Sequence, residues 1–440
     1  MHTLEQLRNG AFAGATRLKL ACGLTTFPIE IFDLADSLEI LDLSGNALSA
    51  LPDDLPRLRK LRVLFCSDNQ FTVLPPVLGK CGQLSMIGFK ANRIDTVPAS
   101  ALPVALRWLI LTDNRIEALP GAIGDCDQLQ KLMLAGNRLS TLPARLSHCS
   151  RLELLRIAAN RFTELPDWLL SMPRLSWLAY AGNPLGDTRE LAALDDASIP
   201  AIRWDDLQLQ SQLGEGASGV IHRVARRDHD EATPLALKIF KGALNSDGLP
   251  RSEMAACIAA GHHPNLIPIL GTLSGHPERA EGLVMPLIAS QFCNLAGPPS
   301  LASCTRDIYD DALLLDHTAV MAMAQGIASA VAHLHRRGIL HGDLYGHNLL
   351  HTGDGRVLLG DFGAASLFDR EASSATALQQ IEVRAYGVLL EELIRLCTAP
   401  LPRLAKLASA CLADDSLSRP LFSEIERVLS SAPGVASAVA

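Results

Sequence analysis

The stretch from Leu38 to Pro52 reads LEILDLSGNALSALP, and the chain repeats this frame along its first half. Within the stretch, leucines alternate with other residues over a short run, and Asn46 follows that run. Equivalent asparagines recur at intervals of 22 or 23 residues, as Asn46, Asn69, Asn92, Asn114, Asn137, Asn160 and Asn183. A period of this length predicts a solenoid, in which each unit forms one short strand and buries its leucines against the neighbouring units.

The frame resembles the leucine-rich repeat, with seven clear copies and one degenerate copy from Leu18 to Pro28. This resemblance implies an α/β horseshoe whose short strands line a concave face. We expect the repeated asparagine side chains to bond backbone groups where each strand turns away. Stacked copies would then form a hydrogen-bonded ladder inside an otherwise apolar interior.

The positions beside the strand leucines, which face the concave surface, carry an unusual number of large apolar side chains. A contiguous apolar patch on a surface often marks a docking site, and buried aromatic residues tend to dominate the energy of an interface. The hypothesis is that four of these residues anchor a protein partner, namely Phe65, Trp108, Met133 and Trp177. The alternative is that flanking helices or a second domain cover this face.

Composition limits the class of protein. The chain has 440 residues, of which 48% are apolar, and a formal net charge of −8. These values are typical of a globular protein and argue against nucleic acid as a partner. The first twenty residues do not resemble a signal peptide, and the apolar stretch Thr318 to Ala332 is too short to span a membrane. We therefore expect a cytoplasmic protein, although delivery into a host cell stays open.

The ten cysteines are expected to be reduced. None of them forms a metal-like Cys-x-x-Cys pair. Cys81, Cys126 and Cys149 share a repeat position with leucine and methionine, which indicates a small apolar position in the core.

The second half of the chain carries residues that could handle phosphate. Leu213 to Val220 reads LGEGASGV, and glycines allow a backbone to fold closely over phosphate groups. An alternating apolar run then ends at Lys238, and a helical stretch follows that contains Glu253. Further along, His341 to Asn348 reads HGDLYGHN, and Asp361 begins the tripeptide DFG.

These motifs, in this order, resemble the protein kinase family over about 225 residues, from Leu207 to Leu429. The resemblance implies that Lys238 grips phosphates with Glu253 as its ion-pair partner, and that Asp343 is the catalytic base. It also implies that Asn348 and Asp361 hold Mg²⁺. The implied ATP-binding residues are Leu213, Gly214, Gly216, Gly219, Val220, Ala236, Lys238, Met285, Leu287 and Leu350. Met285 would be the gatekeeper, and Pro286 and Leu287 would lend backbone groups to the adenine base.

The chain also departs from this family. Gly342 replaces the usual arginine that receives an activation-loop phosphate, so regulation by that ion pair is not available. Tyr345 replaces the lysine of serine/threonine kinases, and a protonated His347 could substitute for that cation in part. Only twenty residues separate Asp361 from Glu382, and no Ala-Pro-Glu motif closes the segment. Glu382 itself is expected to bond the backbone of the catalytic loop.

The sequence therefore predicts a multidomain chain. It consists of a leucine-rich repeat solenoid over 1–184, a closing helix and linker over 185–206, an α+β bilobal protein kinase-like fold over 207–429, and a flexible tail over 430–440. The interpretation is a protein kinase that uses ATP and Mg²⁺ to phosphorylate serine or threonine rather than tyrosine, with the repeats recruiting a protein substrate or partner. An ATP-binding pseudokinase scaffold and an interaction protein with a rigid kinase-like module are the alternatives. The sequence does not indicate an oligomeric state.

Overall fold

A computed structural model describes residues 3–196, 198–216, 218–227, 234–242, 244–245 and 247–431. The chain divides into two compact units, the first ending at Leu175 and the second beginning at Ser176. This division precedes the predicted boundary at residue 184. The last repeat asparagine, Asn183, therefore belongs to the second unit. The predicted flexible tail, apart from Ser430 and Ser431, lies outside the described residues.

Short parallel strands, each three residues long, build the first unit. They pair side by side in register, so that Ile40 lies opposite Val63 and Leu132 opposite Leu155. Helix α1 (Leu4–Arg8) precedes them, helix α2 (Asp167–Leu170) follows them, and single helical turns connect most neighbouring strands. The strands are β1 (Arg17–Lys19), β2 (Ile40–Asp42), β3 (Val63–Phe65), β4 (Met86–Gly88), β5 (Trp108–Ile110), β6 (Lys131–Met133) and β7 (Leu154–Arg156).

The asparagine ladder is present as the repeat period predicts. The Asn137 amide donates to the carbonyls of Leu111 and Leu134, at 2.9 Å each, and its oxygen accepts from the Ile116 N–H at 3.0 Å. Equivalent bonds surround the other asparagines of the first unit. The strand leucines are fully buried, and so are the three cysteines that share a repeat position. All ten cysteines are free thiols in the structure.

The second unit begins with strand β8 (Trp177–Ala179), helix α3 (Asp187–Leu194) and strand β9 (Ala201–Arg203). The helix agrees with the predicted closing helix, but β9 lies where a linker was expected. It belongs to a six-stranded sheet, whose other strands are β10 (Leu207–Glu215), β11 (Gly219–Arg226), β12 (Leu235–Phe240), β13 (Gly271–Ser274) and β14 (Gly282–Pro286). Strand β9 pairs in parallel with β13 and so extends this sheet, in the order β10-β11-β12-β14-β13-β9.

One face of this sheet packs against helix α4 (Pro250–Ala260). The contact is apolar, with Phe240 and Leu283 from the sheet meeting Met254 and Ile258 from the helix. Leu194 of helix α3 packs on the same cluster. The other apolar cluster of the sheet gathers Ile202, Leu207, Val224, Leu235, Leu237 and Val284.

Long helices form the rest of the second unit. Helix α5 (His317–Arg336) has Asp316 as its N-cap residue. The Asp316 carboxylate accepts a hydrogen bond from the Ala319 N–H at 2.7 Å. Its apolar face is buried, as its helical spacing predicts. The helices are α5 (His317–Arg336), α6 (Ala375–Leu396), α7 (Pro402–Cys411) and α8 (Phe422–Ser430), and the small strands are β15 (Cys293–Asn294), β16 (Ile339–Leu340), β17 (Leu349–His351), β18 (Val357–Leu359) and β19 (Ser366–Leu367).

Together these elements agree with the predicted fold class, a repeat solenoid followed by an α+β unit of sheet and helices. Among the described residues, no helix is both long enough and apolar enough to cross a membrane.

Candidate active site

Lys238 and Glu253 form a buried ion pair. Lys238 lies on β12 and Glu253 in the first turn of α4, and their side chains are 13% and 2% exposed. Burial lowers the pKa of Lys238, but attraction to Glu253 and Asp361 outweighs this effect and raises the pKa above its ordinary value. The raised pKa favours the protonated, positively charged form of Lys238 near Asp361. A buried lysine held in this way is suited to binding an anion such as a phosphate group.

Asp343 and Asn348 are joined by their side chains. The Asn348 amide donates to the carboxylate of Asp343 and to its backbone carbonyl, at 2.8 Å each. Since both donors of the amide point at Asp343, its oxygen is the atom left to bind a ligand. The single helical turn Gly346–Asn348 produces this geometry by bringing Asn348 back toward Asp343.

Asp361 offers a second oxygen ligand. Its backbone has φ of 52°, a left-handed conformation that is uncommon outside glycine and often occurs at functional sites. One carboxylate oxygen accepts a hydrogen bond from the Gly363 N–H at 3.1 Å. Mg²⁺ prefers hard oxygen ligands and usually completes its shell with phosphate and water oxygens. The Asn348 amide oxygen and the Asp361 carboxylate fit that donor set.

Buried hydrogen bonds support the loop from His341 to Asn348, which carries Asp343 and which we call the catalytic loop. The Gly342 N–H donates to the Glu382 carboxylate at 2.7 Å, and the other oxygen of Glu382 bonds His335 at 2.8 Å. Burial raises the pKa of Glu382, but these bonds and the nearby histidines lower it below its ordinary value. The predicted bond from Glu382 to the loop backbone is thus present. His341 packs structurally, as expected, with a ring nitrogen 2.8 Å from the Gly360 carbonyl oxygen.

His347 lies between two carboxylates. Its Nδ1 is 2.7 Å from Asp307, and its Nε2 is 4.0 Å from Asp343. Burial lowers the pKa of His347, but the hydrogen bond to Asp307 and the charges of Asp343 and Asp361 raise it overall. The sequence did not point to Asp307, because this residue precedes His347 by forty residues and belongs to no motif.

Two cavities meet at Ile221, Lys238 and Asp361. The inner cavity, of about 160 Å³, lies beside helix α4, and the loop cavity, of about 150 Å³, lies under the glycine-rich turn. The inner cavity is lined by Ile221, Lys238, Glu253, Cys257, Ile267, Ile269, Leu283, Met285, Gly360, Asp361 and Phe362. The loop cavity is lined by Gly216, Ser218, Gly219, Ile221, Lys238, Asn245, Asp247, Asp361 and Gly363.

The same region matches a known family. Residues 207–389 match the family model described as protein kinase domain, and residues 37–58 and 104–162 match two models described as leucine rich repeat. Residues 207–389 belong to the protein kinase family. The chain therefore joins leucine-rich repeats to a kinase domain.

Curated relatives support this assignment. The chain is 26% identical to a probable leucine-rich repeat receptor-like serine/threonine-protein kinase of Arabidopsis thaliana, over 43% of this chain and 34% of that protein. It is 42% identical to another serine/threonine-protein kinase of Arabidopsis thaliana, over 39% and 33% of the two chains. It is also 23% identical to a probable cyclin-dependent serine/threonine-protein kinase of Dictyostelium discoideum, over 42% and 27%. The chain spans about a sixth to a third of the length of curated relatives such as these.

The glycine-rich turn of the kinase domain follows the predicted pattern, with one difference. At Gly214 and Gly216 an added Cβ would meet nothing within 4 Å, whereas at Gly219 it would lie 2.5 Å from the Ile239 carbonyl oxygen. Ile221, not the predicted Val220, lines both cavities. Neighbouring residues of a strand point to opposite faces, and Ile221 is the residue opposite Lys238.

The residues predicted to contact adenine lie on or beside β12, β14 and β17 and just before the glycine-rich turn. Ala236 pairs with Met285 across β12 and β14, and Met285 lines the inner cavity. Leu350 is half-buried on β17. Leu213 lies on β10, just before the glycine-rich turn, and is 48% exposed. The Leu287 N–H donates to the Pro234 carbonyl at 2.8 Å. It is therefore already engaged, and only the carbonyl of Leu287 could lend a backbone group to a base.

Three of the four predicted partner-binding residues lie in the repeat unit. Phe65 and Trp108 are partly exposed, whereas Met133 is 9% exposed. Trp108 already makes contacts within its own sheet, because its Nε1–H reaches the Met133 sulfur at 3.4 Å and the Lys131 ammonium lies 4.3 Å from its ring centroid. Phe65 and Trp108 are the two that offer apolar surface for a partner.

Trp177 differs from the expectation of an exposed concave residue. It is fully buried inside the second unit, where its ring stacks on Tyr345 with centroids 4.2 Å apart and an interplanar angle of 9°. Its Nε1–H also donates to the Leu344 carbonyl at 3.1 Å. Trp177 therefore contacts the catalytic loop of the kinase domain, and no surface of it is available to a partner.

Proposed function

We propose that this chain is a protein kinase that transfers the γ-phosphate of ATP to serine or threonine hydroxyls of a protein. The observation that carries this proposal is the cluster at the two cavities, where the Lys238–Glu253 ion pair meets Asp361. A pseudokinase typically lacks one of these groups or the catalytic aspartate. Here Lys238, Asp343 and Asp361 are all retained, although Tyr345 replaces the lysine that serine/threonine kinases carry in the catalytic loop.

Each side chain then has a defined task. Lys238 holds a positive charge for the α- and β-phosphates, and Glu253 keeps its ammonium group in place. Asp343 accepts the proton of the attacking hydroxyl, while the amide of Asn348 fixes the carboxylate at 2.8 Å. Asn348 and Asp361 would hold Mg²⁺, which neutralises phosphate charge when bound. Orientation and electrostatic stabilisation, rather than covalent catalysis, therefore account for the rate.

The acceptor class rests on the relatives, whose printed names describe serine/threonine-protein kinases. Recruitment of the substrate falls to the repeats, because only twenty residues separate Asp361 from Glu382 and the usual peptide platform is shortened. Leucine-rich repeats commonly bind proteins along the strand face. Phe65 and Trp108 are the partly exposed candidates for that contact.

A phosphotransfer assay tests the catalytic proposal. The full chain is incubated with Mg²⁺ and γ-labelled ATP, using dephosphorylated casein as acceptor, and phosphosites are mapped by mass spectrometry. Asp343→Asn and Lys238→Met are expected to lower the rate at least a hundredfold, since base and phosphate contacts act in the transition state. Matched controls are Asp354→Asn, an exposed acid, and Lys406→Met, an exposed lysine, which should leave the rate unchanged.

The outcomes separate the candidate functions. Label that the wild type incorporates and the Asp343→Asn variant does not supports an enzyme. Tight nucleotide binding with no transfer by any form would instead indicate a pseudokinase scaffold.

Recruitment is tested separately, with the full chain as bait. Phe65→Ala and Trp108→Ala should weaken capture of a physiological substrate while casein phosphorylation stays constant, because casein needs no docking. Val104→Ala is the control, since that side chain is 76% exposed and lies outside the strands. Unchanged capture by both aromatic variants would rule out this face as the docking site.

A further inference from the structure

The end of the repeat sequence contacts the elements that carry the catalytic residues. Residues 176–196, which we call the repeat-end segment, contain β8 and α3 and belong to the same compact unit as the catalytic residues. The segment reaches the catalytic loop, the segment after Asp361, and helix α4. These three elements together set the positions of Asp343, Asp361 and Glu253.

Trp177 supports the catalytic loop. Its indole N–H donates to the carbonyl of Leu344, the residue directly after the proposed base Asp343. Its ring stacks on Tyr345 at 4.2 Å. One fully buried side chain thus fixes both a backbone carbonyl and a neighbouring ring, so rotation of the loop at Asp343 would break both contacts.

The backbone of β8 occupies space beside Gly342. At Gly342, where φ is +72°, a Cβ would lie 2.5 Å from the Ala364 carbonyl oxygen and 2.7 Å from the Leu178 carbonyl oxygen. No arginine could be accommodated at this position without moving β8. Glycine therefore stands where the resemblance places the arginine that receives an activation-loop phosphate.

The repeat-end segment also contacts the chain after Asp361. The Tyr180 N–H donates to the Ser366 hydroxyl at 2.9 Å, and Ser366 is fully buried on β19. β19 pairs with β16, the strand that leads into the catalytic loop. The hydroxyl of an unmodified serine thus accepts the hydrogen bond that joins the repeat-end segment to the chain after Asp361. This contact needs no phosphate group.

Helix α3 supports Glu253 from the opposite end of the segment. The Ser252 hydroxyl donates to the Glu190 carboxylate at 2.6 Å, and Ser252 directly precedes Glu253 on helix α4. The other oxygen of Glu190 accepts from the Gly182 N–H at 2.8 Å. Glu190 is 8% exposed, so this link between α3 and α4 is protected from water.

We propose that the repeat-end segment is a built-in activating element, in which Trp177 positions the catalytic loop and Glu190 positions helix α4 without any phosphorylation. The inference rests on the proposed kinase activity and adds how that activity is kept in its competent state. Trp177 and Glu190 are positioning residues, since each acts through Leu344 or Ser252 rather than on the substrate. The kinase is accordingly active as synthesised.

Conservative variants of the full chain test this proposal. Trp177→Phe keeps an aromatic ring but removes the N–H donor, and kcat for casein is expected to fall about tenfold with the KM for ATP within twofold. Glu190→Ala should lower kcat and raise the KM for ATP about fivefold, because Lys238 loses a well-placed Glu253. Glu190→Gln, which keeps an acceptor oxygen, should recover at least half of the kcat.

Controls separate positioning from folding. Trp168→Phe and Thr188→Ala change a half-buried tryptophan of helix α2 and an exposed residue of helix α3, and both should retain full kcat. All variants are compared by thermal melting, and Trp177→Phe and Glu190→Gln are expected to stay folded. Wild type treated with phosphatase should keep its kcat.

Three results would overturn the proposal. An active wild type whose Trp177→Phe and Glu190→Ala variants keep kcat within twofold overturns this inference alone. So does a phosphatase-treated wild type that loses activity and regains it on preincubation with ATP. A folded wild type that transfers no phosphate overturns the proposed function, and this inference with it.

Discussion

Replacing Gly342 by alanine should destabilise the catalytic unit strongly. Its φ of +72° is left-handed, which costs about 1–2 kcal/mol for a residue with a side chain. The added Cβ would also lie 2.5 Å and 2.7 Å from two carbonyl oxygens, and such overpacking costs typically about 1–3 kcal/mol. The sum is a loss of roughly 2–5 kcal/mol in the free energy of unfolding, or about 5–15 °C in Tm for a unit of this size.

The assay is urea and thermal unfolding of the full chain, compared with Gly353→Ala as a matched control. Gly353 has φ of +81°, but an added Cβ there meets nothing within 4 Å. The control should therefore lose only the backbone contribution of about 1–2 kcal/mol. Equal losses in the two variants would refute the close approach of β8 and Ala364 to the catalytic loop. Gly342→Arg is expected to inactivate the kinase rather than to restore regulation.

Three further predictions concern other parts of the chain. Asn137→Ala should cost about 1–3 kcal/mol in unfolding free energy, because it leaves the buried Ile116 N–H unpaired and removes one of the two asparagine bonds to each of the Leu111 and Leu134 carbonyls. Glu392→Gln should stabilise the chain above pH 7 but not near pH 4, because burial raises the pKa of Glu392 from 4.5 to about 7. A chain lacking residues 1–175 should keep casein kinase activity, whereas one lacking 1–184 should lose it together with Trp177.

The direction of the pH effect follows because the protonation of Glu392 is coupled to folding. At low pH the carboxyl of Glu392 is neutral in the folded and the unfolded protein. Above its folded pKa the carboxyl must ionise inside the folded protein, which costs free energy. The wild type therefore loses stability between about pH 4.5 and pH 7, by up to roughly 3 kcal/mol. Glutamine removes that loss, and its oxygen can still accept the hydrogen bond from Tyr309 at 2.8 Å. Parallel stability profiles of the two forms from pH 4 to 8 would contradict this assignment.

A single measurement can contradict the prediction for Asn137→Ala, and another can contradict the prediction for the two deletions. An Asn137→Ala variant within 1 kcal/mol of wild type would show that the ladder contributes little to repeat stability. Equal casein kinase activity retained by the two deletions would show that residues 176–184, including Trp177, are dispensable.

Much of the fold could be predicted because it depends on local patterns. Every repeat places its leucines and asparagine in the same surroundings, so the spacing alone predicts the strands and the ladder. The ion pair of Lys238 and Glu253 could also be predicted, since the resemblance to kinases implied it, and the structure contains it. Glu382 was found in the same way, through a carboxylate at a recognisable position.

The errors arise where a residue's surroundings come from distant sequence. Trp177 occupies the same repeat column as Trp108, but it bonds a carbonyl 167 residues away, and a period cannot reveal what covers a face. Leu287 was expected to lend backbone groups to the adenine base, but its N–H bonds the Pro234 carbonyl, a partner more than fifty residues earlier in the sequence. Ile221 could have been found, since strand alternation and pairing with Lys238 place it, rather than Val220, toward the cavities.

The central claim is that Asp343, supported by Asn348 and Asp361, catalyses phosphoryl transfer from ATP. The most direct measurement is the rate at which the purified full chain transfers labelled phosphate to casein with Mg²⁺, compared with Asp343→Asn and its control Asp354→Asn. We expect phosphoserine or phosphothreonine with the wild type and the control, and a transfer rate at least a hundredfold lower with Asp343→Asn. Equal transfer by wild type and Asp343→Asn, or no transfer by a folded wild type that binds ATP, would contradict it.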